Sequence, residues 1–273
     1  YFYVTNDSSD SRQFNPSVAH DENGAFVIVW QDDRREQNEI YFQSFTADGD
    51  TISTALRVND NLHTAHHFRP NAISIQPGEF IIGWDDYRGG MGDVYAQGVN
   101  LNGTQLNINY RINDDSGSSY QESPAVVRNR KGEVFIAWTD YRHGGQDIYA
   151  QKIDTLGIAE SDNMRISTQH GVLSQSVVPA LAAGPHNITC TWNQNDLASW
   201  DVIMQSWDFN NEFIEANDTL PGFNENAQQI NPHLAYFPNG AFVIVWAENK
   251  DENQGGEWDI FAQKFSVDRL PVG

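Results

Sequence analysis

Five tryptophans stand 54 residues apart along this chain, and this constant spacing constrains the fold more than any other feature. They are Trp30, Trp84, Trp138, Trp192 and Trp246. A proline lies about 14 residues before each tryptophan, and a glutamine follows each one. The prolines are Pro16, Pro70, Pro124, Pro179 and Pro232, and the glutamines are Gln43, Gln97, Gln151, Gln205 and Gln263. Because five such copies fill nearly all of the 273 residues, we expect one repeat domain over residues 1–273.

Each copy predicts four β-strands. In the third copy, a short strand at 124–128 and an apolar strand at 133–138 flank a tight turn at 129–132. A polar loop then leads to a strand at 147–154, and a short fourth strand lies near 164–166. Helical periodicity is not sustained anywhere, so helices are not expected.

Four antiparallel strands repeated at this interval are typical of the blade of a β-propeller, whose radial arrangement protects the sheet edges. The continuous apolar strands agree, because a blade between two neighbours buries both faces. We therefore predict an all-β, five-bladed β-propeller. The predicted blades are 16–59, 70–113, 124–167, 179–217, and 232–267 together with 1–5.

The two ends of the chain predict how the ring closes. The fifth copy stops after its third strand, and residues 268–273 look too short for a full fourth strand. The opening residues 1–7 match the fourth strands of the first two copies, at 56–60 and 110–114. We therefore expect residues 1–5 to form the outermost strand of the last blade.

Composition excludes several classes of function. The net charge of −21 opposes binding to nucleic acid or to an anionic membrane surface. The longest apolar runs have five or six residues, as at positions 25–30. A transmembrane helix needs roughly 20, so no membrane insertion is expected. One cysteine, Cys190, allows no internal disulfide and looks buried and inert. Since the sequence opens at Tyr1 without a leader, we expect a mature form or part of a larger chain.

The long polar loops all belong to one predicted face, where binding is expected. Three of them carry Trp-x-Asp-x-Arg, which makes Asp86, Arg88, Asp140 and Arg142 candidate ligands for a cation or a polyhydroxylated molecule. The alternative is structural: a charged pair that recurs at one place in three blades is expected to hold its own loop.

Aromatic residues on the same face suggest a stacking platform. Trp200 and Trp258 precede the acid of the fourth and fifth copies, and their rings would suit the C–H face of a sugar. Each could equally pack under its own loop. Tyr87, Tyr141 and Tyr120 belong to the same face, with packing the favoured role.

Metal binding is left open. His63, His66 and His67 cluster before the second blade, but zinc needs three or four converging ligands and no fourth partner is evident. Residues 113–117 resemble a calcium loop in composition without its complete pattern. No cofactor is predicted, and calcium is the ion to test.

The residues two positions before the repeat prolines are expected to approach the axial pocket, where the acids of a propeller enzyme would lie. They are Phe14, Phe68, Glu122, Val177 and Ile230. A glycosidase needs two carboxyl groups about 5 to 10 Å apart. Since only Glu122 is acidic, these positions argue against a glycosidase, and Glu122 stays the best candidate acid.

The third copy reads Ala-Trp-Thr-Asp-Tyr-Arg and then Gly-x-x-Asp-Ile-Tyr-Ala-Gln. This pattern resembles repeats of bacterial secreted and cell-surface proteins. It covers the second and third copies closely, the first and fifth well, and the fourth poorly. The resemblance implies a secreted or cell-surface module, often part of a larger chain, and supplies no catalytic residues. The architecture is also similar to five-bladed tachylectin-type lectins, whose motif is absent.

Together these features predict an extracellular binding module. Its favoured partner is a polysaccharide or glycoconjugate, because near-equivalent repeats suit multivalent binding. The alternative is a scaffold for adhesion or for binding other extracellular proteins. A propeller glycosidase or lyase is the third hypothesis.

Overall fold

The computed structural model describes residues 2–5, 10–60, 65–115, 117–167, 175–195, 199–214, 218–220, 227–249 and 257–273. Twenty strands lie within these ranges, and none of the residues there is helical. Accordingly, these ranges contain no apolar helix of the length needed to cross a membrane.

The strands form five antiparallel sheets of four strands each, and in every sheet neighbours along the chain are neighbours in space. The first sheet contains β1 (Gln13–His20), β2 (Phe26–Asp32), β3 (Glu39–Phe45) and β4 (Leu56–Arg57). The second contains β5 (His67–Gln76), β6 (Glu79–Asp86), β7 (Asp93–Asn100) and β8 (Tyr110–Arg111). The third contains β9 (Gln121–Arg128), β10 (Val134–Asp140), β11 (Asp147–Ile153) and β12 (Met164–Arg165). The fourth contains β13 (Gln175–Ala183), β14 (Asn187–Asn195), β15 (Trp200–Asp208) and β16 (Asp218–Thr219). The fifth contains β17 (Gln228–Tyr236), β18 (Phe242–Asn249), β19 (Trp258–Phe265) and β20 (Pro271–Val272).

The chain divides into two compact units. The first comprises Tyr1–Arg128, Gly132–Ile136 and Gln151–Asn163, and it holds the first two sheets and β9. The second comprises Asn129–Lys131, Ala137–Ala150 and Met164–Gly273, and it holds the fourth and fifth sheets. The four strands predicted for each copy are confirmed, while a single domain over the whole chain stays a prediction.

Apolar side chains of the strands form a buried cluster in each unit. In the first unit, Val27, Phe42 and Ile82 are fully buried in one cluster that includes Trp84. In the second unit, Ile244 and Trp246 pack with their neighbours in a corresponding cluster. Strand β3 is buried along its whole length, as expected for a strand covered on both faces.

Four of the five repeat tryptophans stack on an aromatic ring of the next strand, whereas Trp192 lies opposite Ile203. The ring centroids of Trp84 and Tyr95 are 6.3 Å apart, and those of Trp246 and Phe261 are 6.0 Å apart. These rings are paired in register across β6 and β7, and across β18 and β19. The repeat tryptophan is therefore a core residue of its own sheet.

The fifth sheet departs from the prediction at its fourth strand. Its fourth strand is β20, from the C-terminal segment that was expected to be too short, whereas residues 2–5 form no strand. The physical reason is a tight reverse turn, in which the Ser266 N–H donates to the Leu270 carbonyl over 2.8 Å and returns the chain to Phe265. Residues 1–5 as the last strand, and closure of the ring through them, are therefore not confirmed.

The register of β20 also differs from that of the other fourth strands. In the first sheet Tyr41 pairs with Arg57, while the nearer Phe45 forms an isolated bridge with Thr51. The pairing of Phe265 with Pro271 corresponds to that bridge. The residues of β19 that pair with β20 are Lys264 and Phe265, so β20 does not extend to the level of Phe261.

Candidate functional site

The residue before each repeat proline has a left-handed backbone. Its φ lies between 50° and 60° at Asn15, Arg69, Ser123, Val178 and Asn231. The pairing of the first and second strands shifts register at this point in the first, second, fourth and fifth sheets. Such a bulge takes one residue out of the ladder and leaves its N–H to another partner.

At four of these five positions the N–H donates to the side chain of the residue that follows a repeat tryptophan in the preceding sheet. The donor and acceptor pairs are Arg69 and Gln31 (2.9 Å), Ser123 and Asp85 (2.8 Å), Val178 and Thr139 (3.1 Å), and Asn231 and Asn193 (2.9 Å). Neutral side chains accept three of these bonds. The hydrogen bond to the Ser123 N–H therefore does not require the negative charge of Asp85.

Asp85 belongs to a charged cluster with Arg69 and Glu122. Arg69 Nε lies 2.5 Å from Asp85 Oδ2, and Arg69 Nη2 donates to Glu122 Oε2 over 2.6 Å. The Asp85 side chain is fully buried, whereas those of Arg69 and Glu122 are 40% and 25% exposed. One guanidinium thus bridges two carboxyl groups, of which Glu122 is the one that reaches solvent.

Burial dominates the electrostatics of the cluster. It raises the pKa of Asp85 from 3.8 to about 7, and the opposing effects of Arg69 and the Ser123 N–H do not cancel it. Glu122 adds a like charge that raises the Asp85 pKa further. Burial disfavours the charged form of Arg69, but Asp85 and Glu122 outweigh this and raise the Arg69 pKa. Asp85 therefore exchanges a proton near neutral pH while Arg69 stays charged.

A row of four rings lies beside the charged cluster, and we call it the aromatic row. His66 stacks on Phe68 at 5.7 Å, Phe68 meets Tyr87 edge-on at 5.3 Å, and Tyr87 is tilted against Tyr120 at 6.3 Å. Burial raises the pKa of the Tyr87 hydroxyl, and the Asp85 charge raises it further. All four rings keep some exposed surface.

These groups suit a polyhydroxylated ring. Aromatic faces pack against its C–H bonds, while a guanidinium and a carboxylate bind its hydroxyl groups. A few polar groups beside apolar surface is the usual composition of a small-molecule site. Phe68 contacts Tyr87, and Glu122 is bonded to Arg69; the pocket that the sequence predicts for Phe68 and Glu122 stays a prediction.

The Trp-x-Asp-x-Arg sequences form closed hydrogen-bonded loops. In the second copy Asp86 accepts from Trp84 Nε1 over 3.0 Å and from Arg88 Nε and Nη2 over 2.8 and 2.6 Å. Arg88 also lies 4.2 Å from the ring centre of Tyr95. Although burial opposes it, His67 and Arg88 hold the pKa of Asp86 well below its usual range.

The third copy repeats this arrangement. Asp140 accepts from Trp138 Nε1 over 2.8 Å and from Arg142 Nε over 2.9 Å. Tyr141 accepts a bond from Gln146 Nε2 over 2.5 Å. The carboxyl groups of Asp86 and Asp140 are fully buried in loop-holding bonds. Ligand binding by Asp86, Arg88, Asp140, Arg142 and Tyr141 stays a prediction.

Trp200 and Trp258 occupy equivalent positions at the start of β15 and β19. They pair with Asn195 and Asn249 at the ends of the preceding strands. Trp258 is half exposed and Trp200 is partly buried. Within the described ranges no ring contact joins the two, and the stacking platform stays a prediction.

The candidate metal ligands do not converge in the part of the chain that the structure describes. His66 contacts Phe68, whereas His67 Nε2 lies 3.3 Å from Asp86 Oδ2. Asp115 accepts bonds from Gly117 and Gln121. His63 and Ser116 lie outside the described residues. Among the described side chains no group of three or more His, Cys, Asp or Glu could hold a metal ion.

Cys190 lies in the second unit and is fully buried, and burial raises the pKa of its thiol. A buried thiol of raised pKa is a poor nucleophile. Its predicted inertness agrees with this environment.

No protein-family model and no curated protein matches the chain. Solved structures do match it. An α-L-arabinanase of Penicillium chrysogenum in complex with arabinobiose is 13% identical, with a TM-score of 0.64 over 91% of this chain and 80% of that one. The GH93 α-L-arabinofuranosidase of Fusarium graminearum, also with arabinobiose, is 11% identical, with a TM-score of 0.65 over 91% and 80%. A Dyadobacter fermentans protein of unknown function is 11% identical, with a TM-score of 0.63 over 95% and 80%.

The two enzymes are β-propeller glycosidases. The likeness shows a fold of that class. At such low identity it shows the fold alone. The all-β prediction is therefore confirmed, while the number of blades and the closure of a ring stay predictions.

Sequence analysis missed Asp85 and Arg69, although a signal for both was present. The residues after the repeat tryptophans are Gln31, Asp85, Thr139, Asn193 and Ala247, and Asp85 is the one acid among them. The residues before the repeat prolines are Asn15, Arg69, Ser123, Val178 and Asn231, and Arg69 is the one cation. Asp85 and Arg69 are thus charged where the other copies have uncharged residues. Two such departures that form an ion pair indicate a functional site.

Proposed function

We propose that this chain is a carbohydrate-binding protein whose site is the charged cluster together with the aromatic row. The observation that carries this proposal is the bridging of Asp85 and Glu122 by Arg69 beside four aromatic rings. The buried Asp85 orients the guanidinium, and Arg69 and Glu122 present a donor and an acceptor to hydroxyl groups. The rings of Tyr87 and Tyr120 stack on the sugar.

The ligand is an uncharged polysaccharide or glycoconjugate. A net charge of −21 repels acidic polymers at low ionic strength, while a neutral sugar is unaffected. The arabinobiose complexes of the two similar enzymes make arabinan the first polymer to test.

The remaining parts of the proposal come from the repeats. The chain is a secreted or cell-surface module, supported by the resemblance of its motifs to bacterial proteins of that kind. Its five sheets act as the blades of a five-bladed propeller, supported by five equal sheets and a recurring bond between successive ones.

Affinity electrophoresis through gels that contain arabinan and a panel of other polysaccharides tests binding. We expect one neutral polymer to retard the chain, and Tyr120→Ala and Glu122→Gln each to weaken binding about tenfold. Trp258→Ala is the matched control, because Trp258 is exposed but lies in the other unit. Retardation lost in Trp258→Ala and kept in Tyr120→Ala would transfer the site to the predicted tryptophan platform. No retardation by any polymer would favour a protein-binding scaffold.

Glycoside hydrolysis is the second candidate, and the raised pKa of Asp85 beside Glu122 favours it. Two carboxyl groups with different proton affinities are what a glycosidase uses. Against it, the full burial of Asp85 keeps that group from a substrate. Release of reducing ends from a bound polymer, abolished by Glu122→Gln, would establish the enzyme. Binding without any release would exclude it.

A further inference from the structure

A pocket of about 570 Å³ lies on the first sheet, and none of its lining residues belongs to the charged cluster or the aromatic row. Its walls include Tyr3, Arg34, Gln43, Thr51, Thr54 and Ala55. All of them belong to the first unit. A pocket of this size is large enough for a small ligand.

The repeat glutamine of this pocket differs from its four counterparts. At the four other positions, Nε2 donates to the backbone carbonyl of the following residue over 2.7 to 2.8 Å, and the donors are Gln97, Gln151, Gln205 and Gln263. The side chain of Gln43 makes no hydrogen bond to any described residue, although the relative exposure of Gln43 is only 9%. The Gln43 amide therefore opens onto the pocket, where a ligand can bond to it.

The missing partner is visible in the second and third sheets. Asn109 Nδ2 donates to Gln97 Oε1 over 2.7 Å, and Asn163 Nδ2 donates to Gln151 Oε1 over 2.6 Å. Each asparagine also accepts a backbone bond at Oδ1, from Asp60 over 2.7 Å and from Asp114 over 2.9 Å respectively. The residue 54 positions before Asn109 is Ala55. In the part of the chain that the structure describes, the first sheet therefore has the glutamine and the space but no corresponding amide.

We propose that this pocket binds the acetamido group of a neutral N-acetylated amino sugar. The acetamido N–H donates to Gln43 Oε1, as Asn109 Nδ2 does to Gln97 Oε1. The sugar ring lies toward the exposed side of the pocket, where Thr51 and Thr54 offer hydroxyl groups and Tyr3 offers a largely exposed ring. Such a wall suits a sugar better than the side chain of a peptide asparagine, which carries no further hydroxyl groups. The strong negative charge of the chain favours a neutral amino sugar over an acidic one.

Isothermal titration with N-acetylglucosamine and N-acetylgalactosamine tests the proposal, with glucose and glucosamine as sugars that lack the acetyl group. We expect one site and at least about tenfold weaker binding of glucose, since the Gln43 amide then stays unpaired. Ala55→Asn places the chain's own amide in the pocket. It should weaken N-acetyl sugar binding at least about tenfold while keeping or raising the melting temperature. If this variant does not fold, Gln43→Leu removes the acceptor and should have the same effect on binding.

Two further variants separate this site from others. Asn109→Ala opens the corresponding position on the second sheet, and the number of sites per chain should rise from one to two. Tyr120→Ala, which affects the site of the proposed function, should leave binding of N-acetyl sugars unchanged. The proposal is overturned if glucose binds as well as the N-acetyl sugars, if Ala55→Asn binds normally, or if Asn109→Ala still has one site. An asparagine-containing peptide that binds more tightly than either sugar, and loses its binding in Ala55→Asn, would overturn the sugar in favour of a peptide.

Discussion

Asp85 accepts a bond that neutral side chains accept elsewhere in the chain, so its charge is an addition to the framework. Asn193 occupies the corresponding position of the fourth copy and binds the backbone of Asn231 over 2.9 Å. A buried carboxyl group costs free energy to ionise, and Arg69 offsets only part of that cost. A buried carboxyl group whose pKa is shifted, next to side chains that reach solvent, is a common sign of a functional site.

The raised pKa of Asp85 predicts a pH-dependent stability. Between its unfolded pKa of 3.8 and its folded pKa of about 7, the folded state holds more protons than the unfolded state. The free energy of unfolding should therefore fall as the pH rises from about 4 to about 7, by an amount on the order of 1 to 4 kcal/mol from this group. Denaturant unfolding across this range measures it.

Asp85→Asn is the matched variant, because an asparagine makes the same backbone bond at Asn193. It should remove this component of the pH dependence and bring stability at pH 7 closer to that at pH 5. Parallel pH curves for the two proteins would show that Asp85 does not titrate in this range.

Asp140 illustrates a charged residue whose bonds are structural. It is buried and accepts bonds from Trp138 and Arg142. We expect Asp140→Ala to lower the free energy of unfolding by about 3 to 5 kcal/mol, since it removes a buried carboxylate together with its bonds to Trp138 and Arg142. Chemical denaturation measures this.

Glu160→Ala breaks a more exposed ion pair with Lys152 and serves as the control, with an expected cost below about 1 kcal/mol. Equal losses in the two variants would contradict the difference in burial that separates the two pairs.

At the scale of the strand, the bulge before four of the repeat prolines brings a backbone N–H of one sheet to a side chain of the preceding sheet. It requires a residue with a left-handed backbone, a conformation that asparagine tolerates and that costs a β-branched residue more free energy. Asn15 and Asn231 fit this requirement, whereas Val178 adopts a φ of 56° in the same place. The bond that its N–H makes to Thr139 shows that the bulge forms in spite of the side chain.

Val178→Asn should therefore stabilise the chain by about 1 kcal/mol, because the side chain of Val178 is exposed and little packing is lost. The reverse change, Asn231→Val, should cost a similar amount. Thermal or denaturant unfolding measures both. A loss of stability in Val178→Asn would mean that packing of the valine outweighs the backbone strain.

The third strand of the fifth sheet stands apart from the others. Ile260 is 79% exposed, although Ile40 and Ile148, at the same place in their copies, are fully buried. Ile40 is also bonded through its N–H to Asn59 and through its carbonyl to Val58. An apolar strand with an unpaired edge is exposed to association with another strand.

At the scale of the whole molecule, the sequence predicts that residues 1–5 pair beside β19 and close a ring. If so, the Ile260 amide should exchange with solvent at least about tenfold more slowly in the full chain than in a chain lacking residues 1–5. Hydrogen exchange followed by NMR measures this. The amide of Ile148, which donates to Ser167 Oγ over 3.0 Å, is the internal control. Equally fast exchange of Ile260 in both chains would refute closure by this segment.

The sequence by itself determined the features that depend on local spacing. The 54-residue interval predicted four strands per copy, because turns and apolar runs a few residues long specify hairpins. The Trp-x-Asp-x-Arg loops were also foreseeable as structural, since Asp86 and Arg88 are two residues apart and need no distant partner. Glu122 was found because repeat positions can be compared without coordinates.

Tertiary structure alone decided which chemistry these positions form. Arg69, Asp85 and Glu122 lie far apart in the sequence and meet only because the bulge carries one strand toward its neighbour. The Gln43 side chain likewise shares a pocket with Ala55, which stands where the second and third copies have an asparagine. A repeat predicts equivalent backbones through local propensity and burial. The role of a side chain that differs between the copies depends on contacts with residues distant in the sequence. A local sequence pattern does not show which residues these are.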